Sequence, residues 1–108
     1  MRASRNGSLK SFAPLSIGAR FYAGKSLDEI KQENPFAEQN WLEQRGSLTR
    51  HRKDQIARLF NGRLRLSLDN IRSVPRNEGR YPAFLAIAHG LAQWDAHSQE
   101  VVLLAEQE

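Results

Sequence analysis

The stretch Trp41-Leu42-Glu43-Gln44-Arg45-Gly46-Ser47-Leu48-Thr49-Arg50-His51 constrains the fold more than any other part of the chain. Two large apolar side chains, a polar spacer and a glycine lead into two hydroxyl residues at the head of a helical pattern. Ser47 and Thr49 can each accept from backbone N–H groups two or three residues on, which caps a helix N-terminus. Gly46 lets the chain turn tightly into that cap. Trp41 and Leu42 are therefore expected against a core, with a helix running from about Leu48 to Phe60. Ile56, Leu59 and Phe60 fall at i, i+3 and i+4, and Arg50, Arg52, Lys53, Asp54 and Arg58 form the polar remainder. Asn61-Gly62, tolerant of left-handed geometry, stops the helix.

Around this helix the pattern alternates between periods. Ser26 reads as an N-cap with Asp28 and Glu29 in the first turn, and Leu27 and Ile30 give that helix an apolar face. It ends by Asn34, because Pro35 disfavours helical geometry in the residue before it. Phe36 to Leu42 continue as a second short turn. Residues 63–68 alternate, with Leu64, Leu66 and Leu68 on one face, as in a half-buried strand. A polar loop bounded by Pro75 and Pro82 is expected over 72–82, and a short helix over 83–94. Val101-Val102-Leu103-Leu104 is continuously apolar, which suits a strand buried on both faces. That strand is expected to pair antiparallel with 62–68 and to bury Val102 and Leu104 against the helix of 48–60.

At 108 residues there is room for one domain. No apolar run approaches the roughly 20 residues needed to span a bilayer. Cys is absent, which excludes disulfides, thiolate nucleophiles, Cys-ligated metals and iron–sulfur clusters, and the cytosol is the expected compartment. Residues 1–24 carry four basic and no acidic groups and are broken by Gly7, Pro14 and Gly18, so a flexible basic tail is expected there, ahead of a single domain over 25–108. The alternative for that tail is a mitochondrial presequence, with Arg20-Phe21-Tyr22-Ala23 resembling a processing site. Residues 45–80 carry ten basic and three acidic groups, a positive middle able to attract nucleic acid or a small anion.

Five segments in order resemble the first part of the bacterial chorismate pyruvate-lyases: Trp41-Leu42 with Gly46-Ser47-Leu48-Thr49; Gly62-Arg63-Leu64-Arg65-Leu66; Pro75 with Glu78; Leu85-Ala86-Ile87 with Gly90; and Gln99-Glu100-Val101-Val102-Leu103-Leu104. The resemblance covers roughly residues 41–108. It implies an α+β fold, an antiparallel sheet with helices packed on one face around a small cavity, here incomplete because the family's chain continues beyond this strand. It also implies a lyase reaction, chorismate to 4-hydroxybenzoate and pyruvate in ubiquinone biosynthesis, with no metal or organic cofactor. Leu48 matches a pocket position of the family, and Gln99 stands where the family usually carries Arg; both are candidate substrate-binding residues. Glu78 matches an acidic position. An amide cannot replace a bidentate guanidinium against a carboxylate, and the family's catalytic carboxylate has no counterpart here, so weak or no activity is expected.

Two other readings stand beside the lyase. The first is a small basic RNA- or DNA-binding module in which Arg50, Arg52, Lys53 and Arg58 form a phosphate-facing stripe on the helix of 48–60. The second is an imported mitochondrial protein. His51, His89 and His97 have no local metal-ligand spacing, and Ser47 beside His51 reads as a helix cap rather than a nucleophile and its base. Trp41 and Trp94 read as core anchors.

Overall fold

The computed structural model describes residues 15–104. The fold is α+β: six helices, α1 Ile17–Phe21, α2 Leu27–Glu33, α3 Gln39–Leu42, α4 Arg50–Phe60, α5 Leu68–Arg72 and α6 Arg80–Ala88, with three strands, β1 Arg65–Ser67, β2 Ala92–Asp95 and β3 Glu100–Leu103, among the described residues. The strands form one antiparallel sheet in the order β1-β3-β2. No helix among the described residues is long and apolar enough to cross a membrane.

The helix α6 is the centre of the molecule. Its sequence Arg-Tyr-Pro-Ala-Phe-Leu-Ala-Ile-Ala is apolar on nearly every side, a pattern stable only when buried all round, and residues 81–86 are buried. Around it Trp41 meets Tyr81 at 5.0 Å and Phe84 at 5.6 Å between ring centroids, α4 packs alongside, and β2 follows in contact. The amino-terminal helices close over this core. Ile17 is fully buried and its N–H donates to the Gln44 carbonyl at 2.8 Å. The buried Asn34 Nδ2 donates to the Phe84 carbonyl at 3.1 Å and to Tyr22 Oη at 3.2 Å. Burial raises the Tyr22 hydroxyl above its ordinary pKa.

Local signals decide most element ends. Ser26 caps α2, and Glu29 completes a capping box by accepting from the Ser26 N–H. Thr49 alone caps α4, accepting from the Arg52 N–H, while Ser47 is exposed. Asn61, at φ 50°, ends α4 in the left-handed region. Gly46 is required where it stands: its φ is +57°, and a Cβ there would lie 1.9 Å from Ile17 Cδ1.

Five sequence expectations are corrected. The expected tail 1–24 overlaps structure, because Ser16 caps α1 and Ile17 anchors it, so the folded unit includes residues before 25; residues 1–14 lie outside those described. The strand expected over 63–68 is only Arg65–Ser67, since Ser67 starts α5 by accepting from the Asn70 N–H, and Leu64 is left 69% exposed. The loop expected over 72–82 ends earlier: Pro82 occupies the first turn of α6, where its missing N–H would have no helical partner. The helix expected over 83–94 stops at Ala88, because Gly90 at φ +78° turns the chain into β2.

The fifth correction concerns β3. It pairs antiparallel with β1, as expected, but β2 flanks its other edge, with Trp94 opposite Val101 and Gln93 opposite Val102. Leu66, Val101 and Trp94 share the core face, and Arg65, Val102 and Gln93 share the solvent face. Val101 is therefore the fully buried residue, Val102 is half-buried, and Leu104 is exposed. Strand β3 is thus packed on one face and more open on the other, as antiparallel sheets commonly are.

Candidate nucleic-acid interface

The ten basic residues of 45–80 divide by what they touch. Arg65 lies 2.9 Å from Glu100 and 3.7 Å from Asp95 on the solvent face of the sheet. Arg80 lies 3.3 Å from Glu38, bonds Asn77 Oδ1 at 2.9 Å, and sits over the Trp41 ring. Arg52 donates to Gln55 Oε1 at 2.9 Å and rests 4.8 Å from the Tyr81 ring centroid. These three are committed to the fold. Among the described residues, the other seven, Arg45, Arg50, Lys53, Arg58, Arg63, Arg72 and Arg76, have no acidic partner within ion-pair distance.

Of the expected stripe of Arg50, Arg52, Lys53 and Arg58, the exposed Arg50, Lys53 and Arg58 fall within about 140° of one another around α4, and Arg52 departs from it. At 3.6 residues per turn, Arg50 and Arg52 point about 160° apart. Arg52 leans inward onto Tyr81, and Lys53, at the far edge of the stripe from Arg58, lines an apolar groove of ≈ 270 Å³ with Ile56, Ala57, Leu91, Leu103 and Leu104. Arg50 and Arg58 remain on the outward side, of which only Arg58 enters a groove.

That groove runs between α4 and the corner joining α5 to α6. Its middle, ≈ 610 Å³, is lined by His51, Gln55, Arg58, Leu59, Val74 and Glu78. Arg58, Leu59 and Val74 continue into a second depression of ≈ 280 Å³ holding Arg63, Asn70 and Ser73. Gln55 and Glu78 continue the other way into a third, ≈ 300 Å³, beside Arg52 and Asn77. Ser67 starts α5 and Ser73, donating to the Asn70 carbonyl at 2.8 Å, closes it, so Asn70 and Ser73 arrive at the groove together. Arg72 and Arg76 bracket Ser73 and Val74 in the chain. Arg76 itself is held at φ 58°, a region that non-glycine residues enter at a cost.

Helices α5 and α6 are a consecutive helix pair, and in helix-turn-helix proteins the second helix of such a pair lies in the DNA major groove. Here that helix is buried, so the exposed polar surface of this half is α4 with the 73–79 corner.

The other candidate residues lie apart from this groove. Leu48 is half-buried, packed on the core ahead of α4. Gln99 is at the exposed tip of the β2–β3 hairpin, at φ 60°, with Nε2 donating to the Ala96 carbonyl at 2.9 Å. Neither lines the grooves described, and the structure does not bring the two together in one. His51 lines the groove, His89 Nε2 lies 2.9 Å from the Gly46 carbonyl, and His97 is exposed on the hairpin. Gln55, Asn70 and Ser73 were not among the residues expected at a site; the amide and hydroxyl in and just after α5 were the signal for Asn70 and Ser73, and Gln55 had only its place one turn before Leu59 on α4.

Compared with protein families, with curated proteins and with solved structures, the chain matches none.

Proposed function

We propose that the protein binds nucleic acid along the groove between α4 and the α5–α6 corner. The observation that carries the reading is Arg58, a guanidinium without an acidic partner among the described residues, shared by two adjoining depressions and continued by Arg63. A guanidinium not already paired keeps its full attraction for phosphate, and its planar fork matches phosphate oxygens. The neighbouring groups Gln55, Asn70 and Ser73 are the side-chain types that bond sugar and phosphate in nucleic-acid complexes. The three depressions share lining residues in sequence, which suits an extended polyanion better than a small anion enclosed on all sides.

The test is fluorescence anisotropy of a labelled mixed-sequence nucleic acid titrated with the protein at increasing salt. Each phosphate neutralised releases counterions, so with Arg58, Arg63, Arg72 and Arg76 engaged, log affinity should fall against log salt with a slope of roughly −3 to −4. No binding at low salt, or binding indifferent to salt, would refute the reading.

A further inference from the structure

Building on that reading, we infer that the groove takes a duplex in preference to a single strand, through its backbone and without regard to sequence. Proteins that hold single strands combine positive charge with exposed rings on which bases stack. This groove has the charge without the rings. Trp41, Tyr81 and Phe60 line its ends but are only 5%, 9% and 2% exposed. The faces of Trp41 and Tyr81 are also occupied, by each other, by Phe84 and by Arg52 and Arg80. The exposed ring of α1, Phe21, packs edge-on against His89 and does not line the groove.

Without stacking, affinity depends on phosphate charge alone. A duplex presents one charge per ~1.7 Å of axis and a lone strand one per ~3.4 Å, so equal arginines gain more from the duplex. The position of Glu78 fixes where the phosphates run. It lines the middle and the Arg52 end of the groove and is missing from the end that holds Arg58, Arg63, Asn70 and Ser73. The phosphate path therefore follows the latter end, where two guanidinium groups and the Asn61 and Asn70 amides supply donors and no lining carboxylate opposes them. Contacts from these groups to phosphate fix the position of the duplex and carry no sequence information, so unrelated sequences are held alike.

The experiment is anisotropy with the full chain at low salt, using duplex DNA, duplex RNA and the separate strands of each, in two unrelated sequences. The duplexes should bind about tenfold or more tightly than their strands, with the two sequences alike. Asn70→Ala, at an exposed helical position, should weaken duplex binding about threefold while the thermal midpoint stays in place. A single strand bound as tightly as its duplex, with steep salt dependence, would overturn the duplex preference and leave nucleic-acid binding standing. No binding to any of the probes would overturn the underlying reading itself.

Discussion

Two residues show how differently one substitution can act in this chain. Gly46 sits at φ +57° against Ile17, which is fully buried and cannot swing away from a new Cβ. Gly46→Ala therefore combines positive-φ strain with overpacking, and chemical denaturation should show a loss of about 2–4 kcal/mol. Glu78 makes no ion pair among the described residues and lines the groove on the side away from Arg63. Its carboxylate shares the middle of the groove with Arg58, at one edge of the proposed phosphate path, where it opposes negative charge. Glu78→Gln should thus tighten nucleic-acid binding roughly threefold at low salt, and less as salt screens the repulsion. Weaker binding by Glu78→Gln would instead give the carboxylate an accepting role toward the ligand.

The elements were legible wherever a single side chain decides their ends. Ser26, Thr49 and Asn61 each act on neighbouring backbone, so α2 and α4 could be read within a residue or two. The sheet was harder, because its pairing depends on residues far apart in sequence. Val101-Val102 is apolar at both positions, and only the register against Leu66 and Trp94 shows which one faces the core. Accordingly Val101→Asp should unfold the domain, since burying an unpaired charge costs several kcal/mol. Val102→Asp, beside Arg65 on the solvent face, should lower the thermal midpoint only slightly. The groove was least legible. Helical periodicity separates polar from apolar residues but cannot say that Arg52 is drawn onto Tyr81, a ring 29 positions away in the numbering, while Arg58 is left outside.

Two elements also carry an acid dependence. Asp95 is held below its ordinary pKa chiefly by the Ser98 hydroxyl, with the Ser98 and His97 N–H groups and Arg65 adding to it. Glu29 is lowered by the Ser26 N–H and hydroxyl in the capping box. Because folding lowers both values, each carboxylate contributes stability that is complete above the unfolded carboxylate range, near pH ~4. That stability is lost as pH falls through the folded values. The thermal midpoint should therefore decline below about pH 4. Asp95→Asn should flatten that decline, and an unchanged acid profile in Asp95→Asn would remove the hairpin from the explanation.

At the scale of the molecule, the fold sorts its charge. Acidic groups of α2 and of the sheet are spent on Lys25 and Arg65, and Glu38 holds Arg80, whereas the groove side retains arginines without acidic partners among the described residues. The central claim is that Arg58 and Arg63 meet phosphate there. The most direct measurement is the salt slope of nucleic-acid binding for the Arg58→Gln, Arg63→Gln double variant beside the unaltered protein, with Lys31→Gln on α2 as the control. Each lost phosphate contact removes about 0.9 from a duplex slope, so the double variant should be shallower by roughly 1.8 and the control unchanged. A double variant whose slope equals that of the unaltered protein would contradict the account.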